Sequence, residues 1–249
     1  VPSAFISVFK DRRCYIRALE GALFTLAYYT LYLLYRFARP IDVTAIFMNE
    51  RNIRVLEVAH SLMVKSAALS IIFKLSYYLG LPIILVGGSI LLLAARKYKD
   101  FDLVIYAYII SYAVVYPMFF AFAVYEPYWV GCGYREDLVL WSGQRISSTN
   151  FFTQPTFTFP SAHTFLSIIM ALAFIRSGLK SKYFIAILAF LITASTIMLG
   201  QHWLEDTIAG IVVAVLAYNY SIKKSSEYSE LVESFLGKFI DKLANALKK

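Results

Sequence analysis

Charge is scarce in this chain. Asp, Glu, Lys and Arg make up 16% of its 249 residues and apolar residues 59%, against about 25% and about 45–50% in soluble domains. Mean hydropathy is +0.63. So little polar surface cannot cover a soluble globule, and the composition points to a chain that crosses a membrane repeatedly. Cysteine is nearly absent: Cys14 and Cys132 are the two present, which excludes a disulfide scaffold. The topology below puts them on opposite sides of the bilayer, too far apart to pair. Three histidines are too few for a His-rich metal centre, and no carboxylate cluster suits magnesium, so neither metal nor cofactor is expected. Period-2 alternation is missing, which argues against a membrane barrel. The first residues lack a short apolar stretch closed by a small-residue cleavage site, so no cleavable leader is expected.

Six apolar runs are present, at 18–38, 79–97, 102–125, 162–178, 182–200 and 205–222. About 20 residues of helix span the hydrocarbon. The expected fold is therefore all-α: one six-span membrane domain with its core over 18–222, interfacial amphipathic helices, and a cytoplasmic amphipathic tail over 223–249. With the N-terminus inside, 16 of the 24 Lys and Arg fall on the inner side and 8 on the outer, while the 16 acidic residues divide equally. The formal +8 thus lies on the cytoplasmic side, at helix ends where it orients spans. It forms no solvated basic face, so nucleic acid is not an expected partner. Leu231, Phe235, Phe239, Leu243 and Leu247 recur at four-residue spacing in 227–247, an amphipathic pattern suited to the inner membrane surface or to packing of the tail. Residues 52–78, with His60, read as a mixed helix on the outer side, and 126–161 as a long outer loop rich in Trp and Tyr.

Two short stretches carry the chemistry. "FPSAHT" (159–164) opens the fourth span on the outer side, and "QHWLED" (201–206) precedes the sixth on the same side. Ser161 stands at a helix-cap position. The free amides behind it, with Ala162 first, form an anion site, and His163 is one residue further. His202 and Asp206, four apart, share a helix face. A carboxylate there fixes the imidazole tautomer and leaves the other ring nitrogen free to act as nucleophile or base. Alternatively, Asp206 caps the sixth span.

Pro-Ser-x-His opening one span, and His-x-x-x-Asp at the next outer junction, resemble the type 2 phosphatidic acid phosphatase family. The matching part runs from about 155 to 215. The resemblance implies a lipid phosphatase of the cell membrane, acting on a phospholipid or polyprenyl phosphate or diphosphate at the extracytoplasmic face. His202 would attack phosphorus, Asp206 would orient it, and His163 would protonate the leaving oxygen. The first motif of the family, Lys, six residues, then Arg-Pro, has no counterpart here. In the third, Ser195 is followed by Thr196 where the family has arginine. That loss resembles the inositol phosphorylceramide synthase-like branch. It keeps open a lipid phosphotransferase moving a phosphoryl head group from a diester to an alcohol, or a non-catalytic lipid-binding relative. Arg145, and with it Arg135, are the loop cations expected to fold over the site and bind substrate beside Ser161 and Ala162.

Overall fold

The computed structural model describes residues 11–35, 37–127, 130, 138–139, 145–146 and 158–246, with backbone alone for 138–139, 145–146 and 243–244. Arg135, Cys132 and most of the 126–161 loop lie outside the described residues, as does the side chain of Arg145. The described chain is nearly all helix. In order it forms α1 (Arg12–Tyr35), β1 (Ile41–Asp42), α2 (Glu50–Lys65), α3 (Ala67–Leu75) and α4 (Gly88–Ala94). There follow α5 (Tyr98–Ala121), β2 (Phe122–Ala123), β3 (Leu138–Val139), β4 (Arg145–Ile146), α6 (Ala162–Ser177), α7 (Lys182–Met198) and α8 (Leu204–Ala246).

The expected helix over 52–78 is broken, because two side chains cap new starts within it. Asn49 accepts the Asn52 amide to open α2, and Ser66, where α2 stops, accepts the Leu69 amide to open α3. The chain turns by 113° there. It then runs through π-helical turns at Ser76–Gly80 and Ile83–Gly87 into α4. Tyr77, in the first of these turns, is buried.

α6 is the central helix, packed on α5, α7 and α8. Phe165, Ile169, Met170, Ala173 and Phe174 are wholly inaccessible to solvent. A tyrosine ladder on α5 joins it to α1: Tyr112 meets Phe24 and Tyr28, and the Tyr116 hydroxyl donates to the Tyr28 carbonyl. Spacing of four residues along α5 puts these rings on one face.

α8 departs most from expectation. The helix of the sixth apolar run does not end near 222 but continues unbroken to Ala246. The distal half packs on α1 through Val232 and Leu236 against Ile16. Arg17, expected among the basic residues at the inner ends of spans, is buried in this seam. It forms a forked pair with Asp102 (2.9 and 2.8 Å) and a further ion pair with Glu233 (2.8 Å). Ser229 also donates to Asp102. Neutralisation by two carboxylates is what allows a guanidinium to sit there. Leu231, Phe235 and Phe239 remain on the exposed side of the same helix.

By length and composition, α5 alone among the described helices is long and apolar enough to cross a membrane; α2 with the stretch Ala67–Gly80 passes as a bent pair. The other apolar helices, Ile83–Ala94, α6 and α7, fall short of about 20 residues. The runs expected at 162–178 and 182–200 match α6 and α7 to within two residues; α6 is closed by Gly178 in a left-handed cap and α7 by Leu199, leaving helices of 16 and 17 residues.

Candidate active site

The site forms where the N-terminal ends of α6 and α8 meet. Ser161 caps α6, its side chain accepting the Thr164 amide, and its own amide donates to the Asp206 carbonyl on α8 (3.0 Å). Gly210, one turn along α8, permits this approach. A β-carbon there would lie 2.8 Å from the Ser161 carbonyl oxygen and 2.9 Å from the Thr164 β-carbon. The first-turn amides of α6, with Ala162 leading, have no intrahelical acceptor and point out of the helix end.

His163 and His202, 39 positions apart in sequence, are brought together here, with ring centroids 6.1 Å apart and planes inclined at 61°. Rings at that separation are close enough for both to reach one phosphoryl group. Tyr77 stacks on His163 at 4.2 Å, nearly parallel, and fixes the plane of the imidazole. His202 Nδ1 lies 2.9 Å from the Thr158 carbonyl and 3.5 Å from Asp206 Oδ2. A carbonyl only accepts, so Nδ1 carries the hydrogen and the Nε2 lone pair is free. Asp206 therefore has two tasks. It supports the His202 tautomer from the longer distance, and its Oδ2 accepts the Trp203 amide at 2.8 Å. The second contact is the reach-back half of a capping box. Asp206 Oδ2 thus lies within reach of both the His202 ring and the Trp203 amide.

The turn bearing His202 is held from below. The Thr196 carbonyl accepts the Gln201 and His202 amides, and the Thr196 hydroxyl bonds to Thr207 at 2.9 Å, fully buried. The position that carries arginine in the family's third motif is thus a packed structural element with no opening toward a ligand. Ser195 is likewise turned back onto the Ile192 carbonyl.

Four contributors were missed in the sequence. Tyr77 and Thr158 are described above. Trp203, fully buried, donates from Nε1 to the Tyr125 carbonyl at 2.9 Å. Glu126 follows directly. The strand pair β1–β2 and the Tyr125 amide bond to Thr44 (2.9 Å) hold this segment on one side, and the Thr158 hydroxyl bonds the Val124 carbonyl (2.6 Å) on the other. Glu126 is 3% exposed, and its Oε2 has no hydrogen-bond partner among the described residues. Burial, with the Asp206 charge adding to it, pushes its carboxyl up to about 8. A signal was present: Glu126 is an acid placed directly after an apolar run and before Pro127. At the rim, Arg51 of α2 pairs with Glu205, which also accepts from Asn52 at 2.6 Å. That cation is already neutralised. Among the described residues no three His, Cys, Asp or Glu side chains are grouped to hold a metal.

The PAP2 superfamily profile matches residues 47–220, and the chain belongs to that superfamily. Its members are generally phosphatases or phosphotransferases acting on lipid phosphates, and are typically membrane proteins. An uncharacterized protein of Methanocaldococcus jannaschii is 28% identical over 177 residues, which cover 71% of this chain and 67% of that one. No solved structure matches the chain.

Proposed function

We propose that the protein is a six-span membrane enzyme that removes or transfers the phosphoryl group of a lipid through a phosphohistidine on His202. The observation that carries this reading is the 6.1 Å approach of His163 to a His202 ring whose Nδ1 hydrogen is committed to the Thr158 carbonyl. In the proposed first step the Nε2 lone pair of His202 attacks phosphorus. The bond to the leaving oxygen breaks, and that oxygen takes a proton from His163. Water, or an alcohol in the transfer reaction, then attacks phosphorus and gives its proton to His163; the new O–P bond forms as the N–P bond breaks, and the electron pair returns to His202 Nε2. The amides of Ala162 and His163 at the capped α6 start, beside Ser161, receive the phosphoryl oxygens. Arg145 and Arg135 are proposed to bring positive charge from the loop.

Membrane insertion is supported by the outward faces of the helices. Phe184, Ile187 and Phe190 on α7, and Val212, Val215 and Leu216 on α8, are exposed, Phe190 by 70%. In water such a surface is a liability, whereas in a bilayer it is a lipid contact. With the basic asymmetry of the connectors, this favours cytoplasmic termini and a site on the extracytoplasmic face. The exposed Leu231–Phe235–Phe239 stripe then lies along the inner leaflet. A second reading, transfer between a lipid phosphodiester and an alcohol, is favoured by one feature: no unpaired Lys or Arg among the described residues reaches the two histidines, and a diester brings a single charge.

The test is a panel of lipid monoesters, diphosphates and diesters in detergent, reading free phosphate and lipid products together. His202→Ala is expected to abolish turnover and an acid-labile phosphoenzyme. His163→Ala should retain burst labelling only with leaving groups that need no proton. Arg145→Ala should cut turnover by about 10–1,000-fold, with Arg145→Lys restoring part of it, because a point charge does not reproduce a guanidinium fork. Full activity in His202→Ala refutes the phosphohistidine.

A further inference from the structure

The described site holds two buried carboxyl groups where phosphate chemistry leads one to look for cations. Asp206 Oδ1 and Glu126 Oε2 are both enclosed and both without a hydrogen-bond partner among the described residues. Asp206 is accounted for, since its other oxygen serves Trp203 and His202. Glu126 is not. Its backbone is fixed from three directions, by β1–β2, by Thr44 and by Trp203 through Tyr125. This segment is therefore positioned, not merely left at a loop end. The side chain lies within electrostatic range of Asp206, which supports His202, and of Tyr77, which stacks on His163. It thus lies close enough to feel the two groups that hold the histidines, with a buried oxygen that has no partner among the described residues.

We propose that Glu126 carries a proton in the working enzyme and donates it as a hydrogen bond to a phosphoryl oxygen, selecting a singly charged phosphodiester group over a fully ionised monoester. This rests on the phosphohistidine reading above. A neutral acid adds a donor without a charge to be balanced, and a carboxyl group in a dry pocket is the form burial favours. The titratable groups facing Glu126 give it no reason to ionise. Asp206 from α8 is acidic and repels a second negative charge, and Tyr77 from the first π turn is buried. Asp42 on β1 is exposed and engaged with the Thr44 amide. The histidines bracket the gap. No Lys or Arg among the described residues is close enough to lower the carboxyl, which burial holds near 8. Below that pH the group donates. Above it, it becomes a carboxylate, repels the substrate, and stops donating. A dianionic monoester meets that repulsion twice over; a diester meets it once.

The experiment measures kcat/KM from pH 5.5 to 9.5, in detergent, on a lipid phosphodiester, whose own charge stays constant over this range, and on the matching monoester. Wild type is expected to lose, above about pH 8 on the diester, about tenfold per pH unit beyond the loss that the His163 proton alone imposes. Glu126→Gln, which keeps an N–H donor and cannot ionise, should retain at least a tenth of the activity at pH 7 and lack that additional loss through pH 9. Glu126→Ala should lose about 10–1,000-fold at pH 7, the range for removal of one donor to a transition-state oxygen. The monoester should lose activity above about pH 8 more steeply than the diester. A Gln variant that follows the wild-type profile, an Ala variant with full activity, or a wild-type profile flat to pH 9.5 overturns the proposal; the last result means Glu126 is an ionised partner of a loop cation. Failure of the underlying reading is separable, because it appears as His202→Ala retaining turnover whatever the state of position 126.

Discussion

Gly210 offers a test of whether the meeting of α6 and α8 makes the site. In Gly210→Ala the new methyl would stand 2.8 Å from a backbone oxygen and 2.9 Å from a β-carbon. Neither atom is the free end of a flexible side chain, so the helices themselves must give way. Restoring ordinary contact requires a local separation of roughly 0.6 Å, and overpacking of this kind costs about 1–3 kcal/mol. The separation falls on Ser161, whose amide is tied to the Asp206 carbonyl and which is two residues from His163. His163 and His202 therefore move apart along the line on which phosphorus must sit. Displacements near 1 Å cost about 100-fold in rate, so turnover should fall by about 10–100-fold, with a lower melting temperature in detergent. Gly87→Ala is the internal control. It is also helical, its added methyl meets nothing within 4 Å, and it should be neutral or stabilising by about 0.5–1 kcal/mol. Wild-type turnover and melting temperature in Gly210→Ala would refute the claim that this crossing sets the distance between the histidines.

Three further outcomes follow from buried groups. Arg17→Ala leaves Asp102 buried without its partner and should cost about 3–5 kcal/mol, whereas Arg17→Met with Asp102→Leu should recover most of that loss; thermal unfolding of the two variants against wild type decides. Thr196→Arg, which restores the arginine of the family's third motif, should destabilise by a similar amount and not raise activity, because position 196 is sealed against Thr207; higher turnover would show that the pocket opens there. Stability should fall as pH rises from about 4.5 to about 8, since folded Glu126 keeps a proton that the unfolded chain has already released. The slope from this one group is about 1.4 kcal/mol per pH unit, and Glu126→Gln should remove it, as read by melting temperature against pH.

The histidines were legible in the sequence because their chemistry lies in contiguous residues, and because counting apolar runs brought both to one end of the bundle. What held them was not legible. The Thr158 carbonyl has no side-chain signature, and Tyr77 lies in a π-helical turn that breaks the regular helical period by which a face is read. The tail was half legible. Its four-residue apolar spacing predicted an amphipathic helix, but the stripe that was counted, Leu231–Phe235–Phe239, is the outward one. The packed stripe, Val232 and Leu236, is offset by one position and finds Ile16 more than 200 residues away. Local periodicity says that a face exists; only the tertiary partner says which face.

The same distinction governs charge. Counted along the chain, the missing Lys and Arg of the family's motifs look like a loss of phosphate affinity. Placed in the fold, they are two different things. At position 196 an arginine has no room, since the Thr196 hydroxyl and carbonyl build the turn that presents His202. Near the gap itself, the described side chains are two histidines, a tyrosine and two carboxyls, with the α6 amides as donors. Such a pocket stabilises a phosphoryl group through oriented hydrogen bonds more than through net charge. That balance suits a substrate carrying one negative charge and disfavours one carrying two.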